Sequence, residues 1–507
     1  MLTLNKITIT TPKGRVLMKD LSFSIQPGDK LAIIGEEGNG KSTLCKLIAD
    51  PPQVYDTMIV EGQIINDLRI GYLPQNQAEC NETAGDFLLR DSNGEIDYGL
   101  LPEVKRELNR LHVQLPETRF DEPLSRFSGG ERVKIQLVRL MVNQPELLVL
   151  DEPTNDLDLA TLEWFEEFIR QSEVPILFVS HDETLLQHCA NRILHLEQTQ
   201  RKTVPLWTLA SVGYDDYVAS RQDMIQRQTA LSSKQKAQYE KQLQTWRQIY
   251  QKVEHAQATI TRQNPSGGRL LKKKIKNLKA VRDRLDNVEK IKKPDPEEAI
   301  NLAFTNQPSI YGQRCLLDDT LDRLVIKDRI LSVNLSLQIF GQARIGIIGD
   351  NGSGKTTYLN HLHQAAKKRG TNVAMMPQNY ESLLPLNQSA VEFLTIAKTK
   401  EEHTKIMTYL GNLKFTPEEM NQPIERCSQG QKAKILFTHL VFSDADLLIL
   451  DEPTRNLSPL TLPVIEAMLS EFHGAILAVS HDRRFLRNVM KTIYHFDENG
   501  LHLIMNF

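Results

Sequence analysis

Nowhere in its 507 residues does this chain carry a run of 18 or more apolar residues, so no segment reads as a membrane-spanning helix. Its start, MLTLNKITIT, lacks the charged and apolar regions of a secretion signal, and a cytoplasmic protein with no membrane partner is expected. Cysteine is sparse. Cys45, Cys80, Cys189, Cys315 and Cys427 show no C-x-x-C spacing, which argues against both a disulfide framework and a zinc site. Net charge is small as well, at −3, so any strong field must be local. What remains, 40% hydrophobic and 25% charged residues, is ordinary globular composition, and the length allows two or three domains.

The chain does contain an internal repeat. Gly35-Glu-Glu-Gly38-Asn-Gly40-Lys41-Ser42-Thr43 and Gly349-Asp-Asn-Gly352-Ser-Gly354-Lys355-Thr356-Thr357 both fit G-x-x-x-x-G-K-[ST]. Ser128-Gly129-Gly130-Glu131 is answered by Ser428-Gln429-Gly430-Gln431, each serine 23 residues before an aspartate that ends an apolar run. Those aspartates open Asp151-Glu152-Pro-Thr154 and Asp451-Glu452-Pro-Thr454, and His181 and His481 follow 30 residues later. One such loop arises by chance; four ordered motifs duplicated at matched spacing do not. Apolar runs such as Leu31–Ile34 and Ile345–Ile348, leading directly into glycine loops, read as buried strands followed by helices, hence an α/β fold.

Each motif has a chemistry. Glycines at 35, 38 and 40, and at 349, 352 and 354, let backbone N–H groups converge on phosphate oxygens at a helix start. Lys41 and Lys355 are expected on the β and γ phosphates, with the hydroxyls of Ser42 and Thr356 at a magnesium position and Thr43 and Thr357 closing the nucleotide loops. Asp151 and Asp451 are expected to hold the metal, and Glu152 and Glu452 to orient or deprotonate an attacking water. A buried Asp-Glu pair can be purely structural; its duplication behind two phosphate loops favours chemistry.

This ordered set resembles the ABC ATPase superfamily over residues 1–198 and 301–507. The resemblance implies two ATP-hydrolysing domains, each with a sheet and a helical subdomain, docked head to tail within one monomeric chain, with ATP and Mg2+ as cofactors. It further implies that Gln75 and Gln378 sense the metal, that His181 and His481 contact the γ phosphate, and that Ser128, Gly129 and Gly130, with Ser428 and Gly430, reach the nucleotide on the opposite domain. The sequence departs from the family pattern at Gln429, at Glu37, and in Arg455-Asn-Leu-Ser458 against Asn155-Asp-Leu-Asp158, so unequal sites are expected. No aromatic residue precedes Phe23 or lies between Tyr311 and Phe340, which leaves the adenine without the usual stacking ring.

Residues 199–300 form the linker. Ser220 to Lys293 holds 19 Lys and Arg against 6 Asp and Glu, +13 against −16 elsewhere. Gly and Pro are missing from Ser220 to Gln263, appear in Asn264-Pro-Ser-Gly-Gly268, and then give way to charged sequence again, which reads as two long helices joined by a turn. A second arm of about 25 residues would reach roughly 40 Å. Such a helix could be a solvated spacer, but this charge favours a polyanion such as RNA. With Tyr214-Asp-Asp-Tyr217 at its start, the linker resembles that of the F subfamily of ABC ATPases, which enters the ribosomal exit site towards the peptidyl transferase centre. The resemblance therefore implies a ribosome partner contacted through 23S rRNA and tRNA. Antibiotic resistance by ribosome protection is the expected role, with hydrolysis driving release. Arg262 to Leu271 would be the working tip. The alternatives are a housekeeping translation factor of the same subfamily and the energy subunit of a membrane transporter, which has no use for a basic hairpin. Trp246 is a candidate nucleic-acid contact, and Trp164 and Trp207 are expected to pack.

Overall fold

The structure is a computed structural model that describes residues 1–36, 38–75, 82–90, 94–154, 157–199, 204–259, 265–286, 314–326, 329–395, 399–413, 415–443, 445–455, 457, 459 and 461–504. Two compact units emerge, one of Met1–Tyr214 with Glu298–Phe507 and one of Asp215–Glu297.

Both repeats are α/β. In the first, six strands lie in the order Ile70–Leu73, Leu147–Asp151, Ile176–Val179, Lys30–Gly35, Arg192–Gln198 and Val204–Ala210. The first five are parallel, and Val204–Ala210 closes the edge antiparallel to Arg192–Gln198. The second repeat gives the same order with Val373–Met376, Leu447–Asp451, Ala475–Val479, Arg344–Ile348, Thr492–Asp497 and Gly500–Ile504. The apolar runs dictate this. Lys30–Gly35, Leu147–Asp151 and Leu447–Asp451 are buried at every position, as strands covered on both faces must be.

A smaller antiparallel sheet accompanies each repeat: Val16–Ile25, Leu2–Thr10 and Ile59–Asn66 in the first, Cys315–Ile326 with Arg329–Phe340 in the second. The parallel order sets the site. Lys30–Gly35 and Leu147–Asp151 flank Ile176–Val179, so the glycine loop, Asp151 and the segment ending in His181 all leave the same sheet edge, where open α/β sheets bind ligands.

The second unit consists of the helices Tyr214–Thr259, 46 residues or about 69 Å, and Pro265–Asp286, 22 residues or about 33 Å, apart from Tyr214 itself. Trp246 joins them. Its Nε1 donates to the Leu278 carbonyl at 2.7 Å, its ring stacks on Tyr250 at 4.9 Å, and Arg282 sits over it at 5.6 Å. With five residues between the helices, that contact requires antiparallel arms. Trp246, a candidate nucleic-acid contact by sequence, is thus a half-buried staple between the arms. The expected turn at Asn264–Gly268 also differs: the second helix already begins at Pro265, because proline at the first helical position loses no hydrogen bond and brings a helical φ. Asn264 and Arg262 lie outside the described residues, whereas Lys272, Lys273 and Lys274 are exposed and Leu270 is 69% exposed. Tyr214 and Tyr217 are both buried.

Trp164 and Trp207 pack as expected, donating to the carbonyls of Leu111 at 2.7 Å and Lys19 at 3.1 Å.

Candidate functional site

The two glycine loops are built alike. Gly40 and Gly354, in the left-handed region at φ 89° and 110°, begin the helices Lys41–Ala49 and Lys355–Lys368. A Cβ on Gly35 or Gly349 would stand 2.3 Å from the carbonyl oxygen of Leu196 or Phe496, so only glycine permits this close approach of loop and strand. Gly38 and Gly352 complete the loops at φ 73° and 77°, and Thr43 and Thr357 lie in the first helical turns. Lys41 Nζ donates to the carbonyls of Gly35 at 2.9 Å and Glu36 at 3.3 Å, and Lys355 Nζ donates to those of Gly349 at 2.7 Å and Asp350 at 2.8 Å. Both ammonium groups are therefore buried across the mouth of a backbone cradle, and burial lowers the pKa of Lys355.

Each loop faces a carboxylate pair. Ser42 Oγ donates to Asp151 Oδ1 at 3.0 Å, and Thr356 hydrogen-bonds Asp451 in the same way. Burial pushes the Asp151 carboxyl up to about 6 against that hydrogen bond, and it raises Asp451 too. The second oxygen of each, Asp151 Oδ2 and Asp451 Oδ2, is buried without a hydrogen-bond partner. An orphaned buried oxygen beside a hydroxyl is the donor set that a magnesium ion satisfies, and the residues fit that ion.

Glu152 and Glu452 both take a left-handed φ of 51°, a conformation that costs a non-glycine residue about 1–3 kcal/mol. Their N–H groups are held by the carbonyls of Val179 at 3.1 Å and Val479 at 2.9 Å, so the neighbouring strand fixes each side chain at the sheet edge. Glu152 Oε1 lies 3.0 Å from His181 Nε2, and Gln75 Nε2 donates to Oε2 at 2.5 Å. Glu452 accepts from the His481 N–H at 3.4 Å and lies 3.5 Å from its Nε2. Burial raises Glu452 to about 8, and it lowers His481 to about 4, leaving that imidazole neutral. The Nδ1 atoms of both histidines are buried without a hydrogen-bond partner.

Ser128 and Ser428 are N-caps. Each accepts from the N–H three residues on at 3.2 Å, while Glu131 and Gln431 return the bond in a capping box. A cleft of about 570 Å3, within the range of roughly 300–1,000 Å3 usual for ligand sites, is lined by Gly129 and Arg132 of the first repeat together with Lys355, Thr356, Gln378, Asp451, Glu452 and His481 of the second. Gly129 of the first signature thus lines the same cleft as the second loop. Gly130 behind it is packed, since a Cβ there would meet Thr161 Oγ1 at 2.6 Å. Gln429, the departure in the second signature, donates to Glu381 at 2.9 Å, as Lys432 does at 2.6 Å, which ties that helix start, with Gly430 buried in it, to the segment after Gln378. The sequence gives no signal for Arg132, Ile326, Arg329 and Leu331, which also line the cleft. Arg15, whose Nη2 donates to the Gly38 carbonyl at 3.3 Å, was missed too. Glu37, Asn155, Ser458 and Tyr311 lie outside the described residues.

Comparison with known proteins agrees with this geometry. The family model for the ABC transporter matches residues 18–155 and 333–455, once in each repeat. The ATP-binding protein Uup of Buchnera aphidicola is 29% identical, over 96% of this chain and 78% of its own. The energy-dependent translational throttle protein EttA of Escherichia coli K12 is 26% identical, over 98% and 92%. The solved structure of ribosome-bound archaeal Pelota and ABCE1 matches with a TM-score of 0.59 at 16% identity, covering 98% of this chain and 78% of that one, a likeness of fold alone. Among the described residues, no helix is long and apolar enough to cross a membrane. Two phosphate loops, two buried carboxylate pairs and a shared cleft, matched by that family in both halves, make the chain a member of the ABC transporter family, a tandem ATPase of its F branch.

Proposed function

We propose that this chain is a cytoplasmic, monomeric, ribosome-acting ATPase whose two repeats close on ATP, and whose basic hairpin then enters the ribosomal exit site. The observation that carries the reading is the stapled pair of helices with its exposed Lys272, Lys273 and Lys274, in a segment of +13. A rigid cationic probe suits a polyanionic pocket. Similarity to a translational throttle protein supports the same direction.

In this reading the backbone of each glycine loop and Lys41 or Lys355 hold the phosphates. Glu152 and Glu452 orient the attacking water and take its proton. His181 and His481 donate to the γ phosphate, and Gly129 closes the second site from the first repeat. Ser42, Asp151 and Gln75, or Thr356, Asp451 and Gln378, would hold a magnesium ion, which would supply neutralisation of phosphate charge. Hydrolysis then reopens the repeats and releases the ribosome.

The finer role is protection of the ribosome from antibiotics near the peptidyl transferase centre, the hairpin end contacting 23S rRNA and tRNA. The short interval from Gln75 to Ser128, whose described α-helices are Ala84–Leu89 and Leu101–Arg110, and the asymmetric second signature support it. A housekeeping role in translation is the second reading, favoured by the similarity to EttA. Expression in a susceptible host, with inhibitory concentrations measured for lincosamides, pleuromutilins, streptogramins, macrolides and phenicols, decides between them. The expected outcome is a rise for at least one class that disappears in the Glu152→Gln/Glu452→Gln variant; no rise with the protein on ribosomes leaves the housekeeping reading.

A further inference from the structure

The repeats meet along a second seam beside His181 and His481, and its charges are not symmetric. The helices Glu183–Cys189 and Arg483–Val489 start directly after His181-Asp182 and His481-Asp482 and occupy equivalent places 300 residues apart. At the first position of these helices the first repeat has Glu183 and the second has Arg483; at the next, the first has Thr184 and the second Arg484. Behind them, Glu166 and Glu466 are the same residue in both repeats, as are Asp182 and Asp482.

The two arginines of the seam each meet carboxylates, while Asp182 and Asp482 also approach one another across it. Arg483 of the second repeat hydrogen-bonds Glu166 of the first and lies 3.8 Å from Asp182. Arg484 pairs with Glu183 across the seam, and 3.3 Å away lies Glu466 of its own repeat. Glu166 also has His188 of its own repeat at 3.0 Å, and Glu466 accepts from Asn488 at 2.9 Å. These groups are largely covered: the side chains of Arg483, Glu166 and Glu183 are 11%, 10% and 10% exposed. Charges this buried are stabilising only when paired, and removing one partner leaves the other stranded.

Other pairings match less well. Two first repeats placed head to tail would set Glu183 against Glu166 and Asp182 with no guanidinium present. Two second repeats would set Arg484 against Arg483, although Arg483 would keep carboxylates opposite it in Glu466 and Asp482, so the first repeat is the more exacting of the two. We propose that the Glu183/Arg483 reversal, with Glu166 and Arg484, is a pairing code: it makes a second repeat, and not another first repeat, the partner of the first. This goes beyond ATP-driven closure and rests on it only for the size of the motion.

The test uses the full chain carrying Glu152→Gln/Glu452→Gln, with one fluorophore in each repeat and energy transfer read with and without ATP, alongside sedimentation velocity. Arg483→Glu/Arg484→Glu should reduce the closed population about tenfold or more in both conditions. Adding Glu166→Arg/Glu183→Arg to that variant should restore more than half of the loss. Equal closure in Arg483→Glu/Arg484→Glu and its parent, or no restoration by the added reversals in chains of equal melting temperature, overturns the code. If the reversed chain does not fold, the neutral Arg483→Gln/Arg484→Gln takes its place, with a smaller loss in the same direction expected and no loss overturning the proposal. A parent whose transfer ignores ATP would sink the closure reading alone, because the code is judged by parent against variant without nucleotide as well.

Discussion

Gln75 donates to Glu152 at 2.5 Å, so the carboxylate of the first site is engaged by its own glutamine, whereas Glu452 of the second site is approached by the backbone N–H of His481 at 3.4 Å. The two sites therefore start from different positions. In the first, a charge-assisted hydrogen bond worth roughly 1.5–3 kcal/mol must break before the carboxylate can turn to a water.

Turnover should follow that difference. Replacing Glu152 and Glu452 together by glutamine should keep nucleotide binding and lower phosphate release by about 100-fold or more. The single variants should differ in rate and in pH dependence, because Glu152 is held by Gln75 whereas burial keeps the Glu452 carboxyl up at about 8, so the Glu152→Gln variant, which works through Glu452, should gain turnover as pH rises towards 8. Phosphate release at saturating ATP measures both. Parental turnover in the double variant would remove both glutamates from the chemistry.

Base recognition should be loose. The cleft at the second site is lined by Ile326, Arg329 and Leu331 in a segment without an aromatic ring, and a guanidinium stacks on any base. ATP and GTP should bind the second site with affinities within about tenfold, and Arg329→Ala should weaken both about fivefold. Titration with fluorescent nucleotides in a Lys41→Ala background isolates that site, and a strong preference for adenine would show that the base is read elsewhere.

The hairpin should loosen when its staple is cut. Trp246→Ala removes the bond to the Leu278 carbonyl, the stack on Tyr250 and the contact with Arg282, a local loss of about 2 kcal/mol. Amide exchange near residues 246 and 278 should accelerate about 30-fold, with ATP turnover of the free protein unchanged. Unaltered exchange would mean that the arms are held at other levels.

Ribosome association should fall with salt, because each neutralised phosphate releases counterions. Reversing Lys272, Lys273 and Lys274 to glutamate should lower affinity and flatten the salt slope by about 3, leaving ribosome-free turnover intact. Co-sedimentation across a salt series reads this, and an unchanged slope would exclude these lysines from the contact.

The sequence alone determined what is local or repeated. The glycine loops, the buried strands ahead of them, the aspartate-glutamate pairs and the long basic helices are fixed by neighbours a few residues apart, through chain sterics and apolar periodicity. The helix start at Pro265 was blurred because Pro-Ser-Gly-Gly fits a turn and a first helical turn equally well. Tertiary structure decided what depends on distant partners. No pattern near Trp246 announces that its indole N–H ends on Leu278, and none near Glu152 reveals that a hydrogen bond to Val179 holds its backbone in the left-handed region. The meeting of Gly129 with Lys355, and of Arg483 with Glu166, joins residues more than 200 positions apart. Only the packing of one repeat against the other brings them together, since their positions follow from the order of strands in two separate sheets and from the charges that the seam will accept.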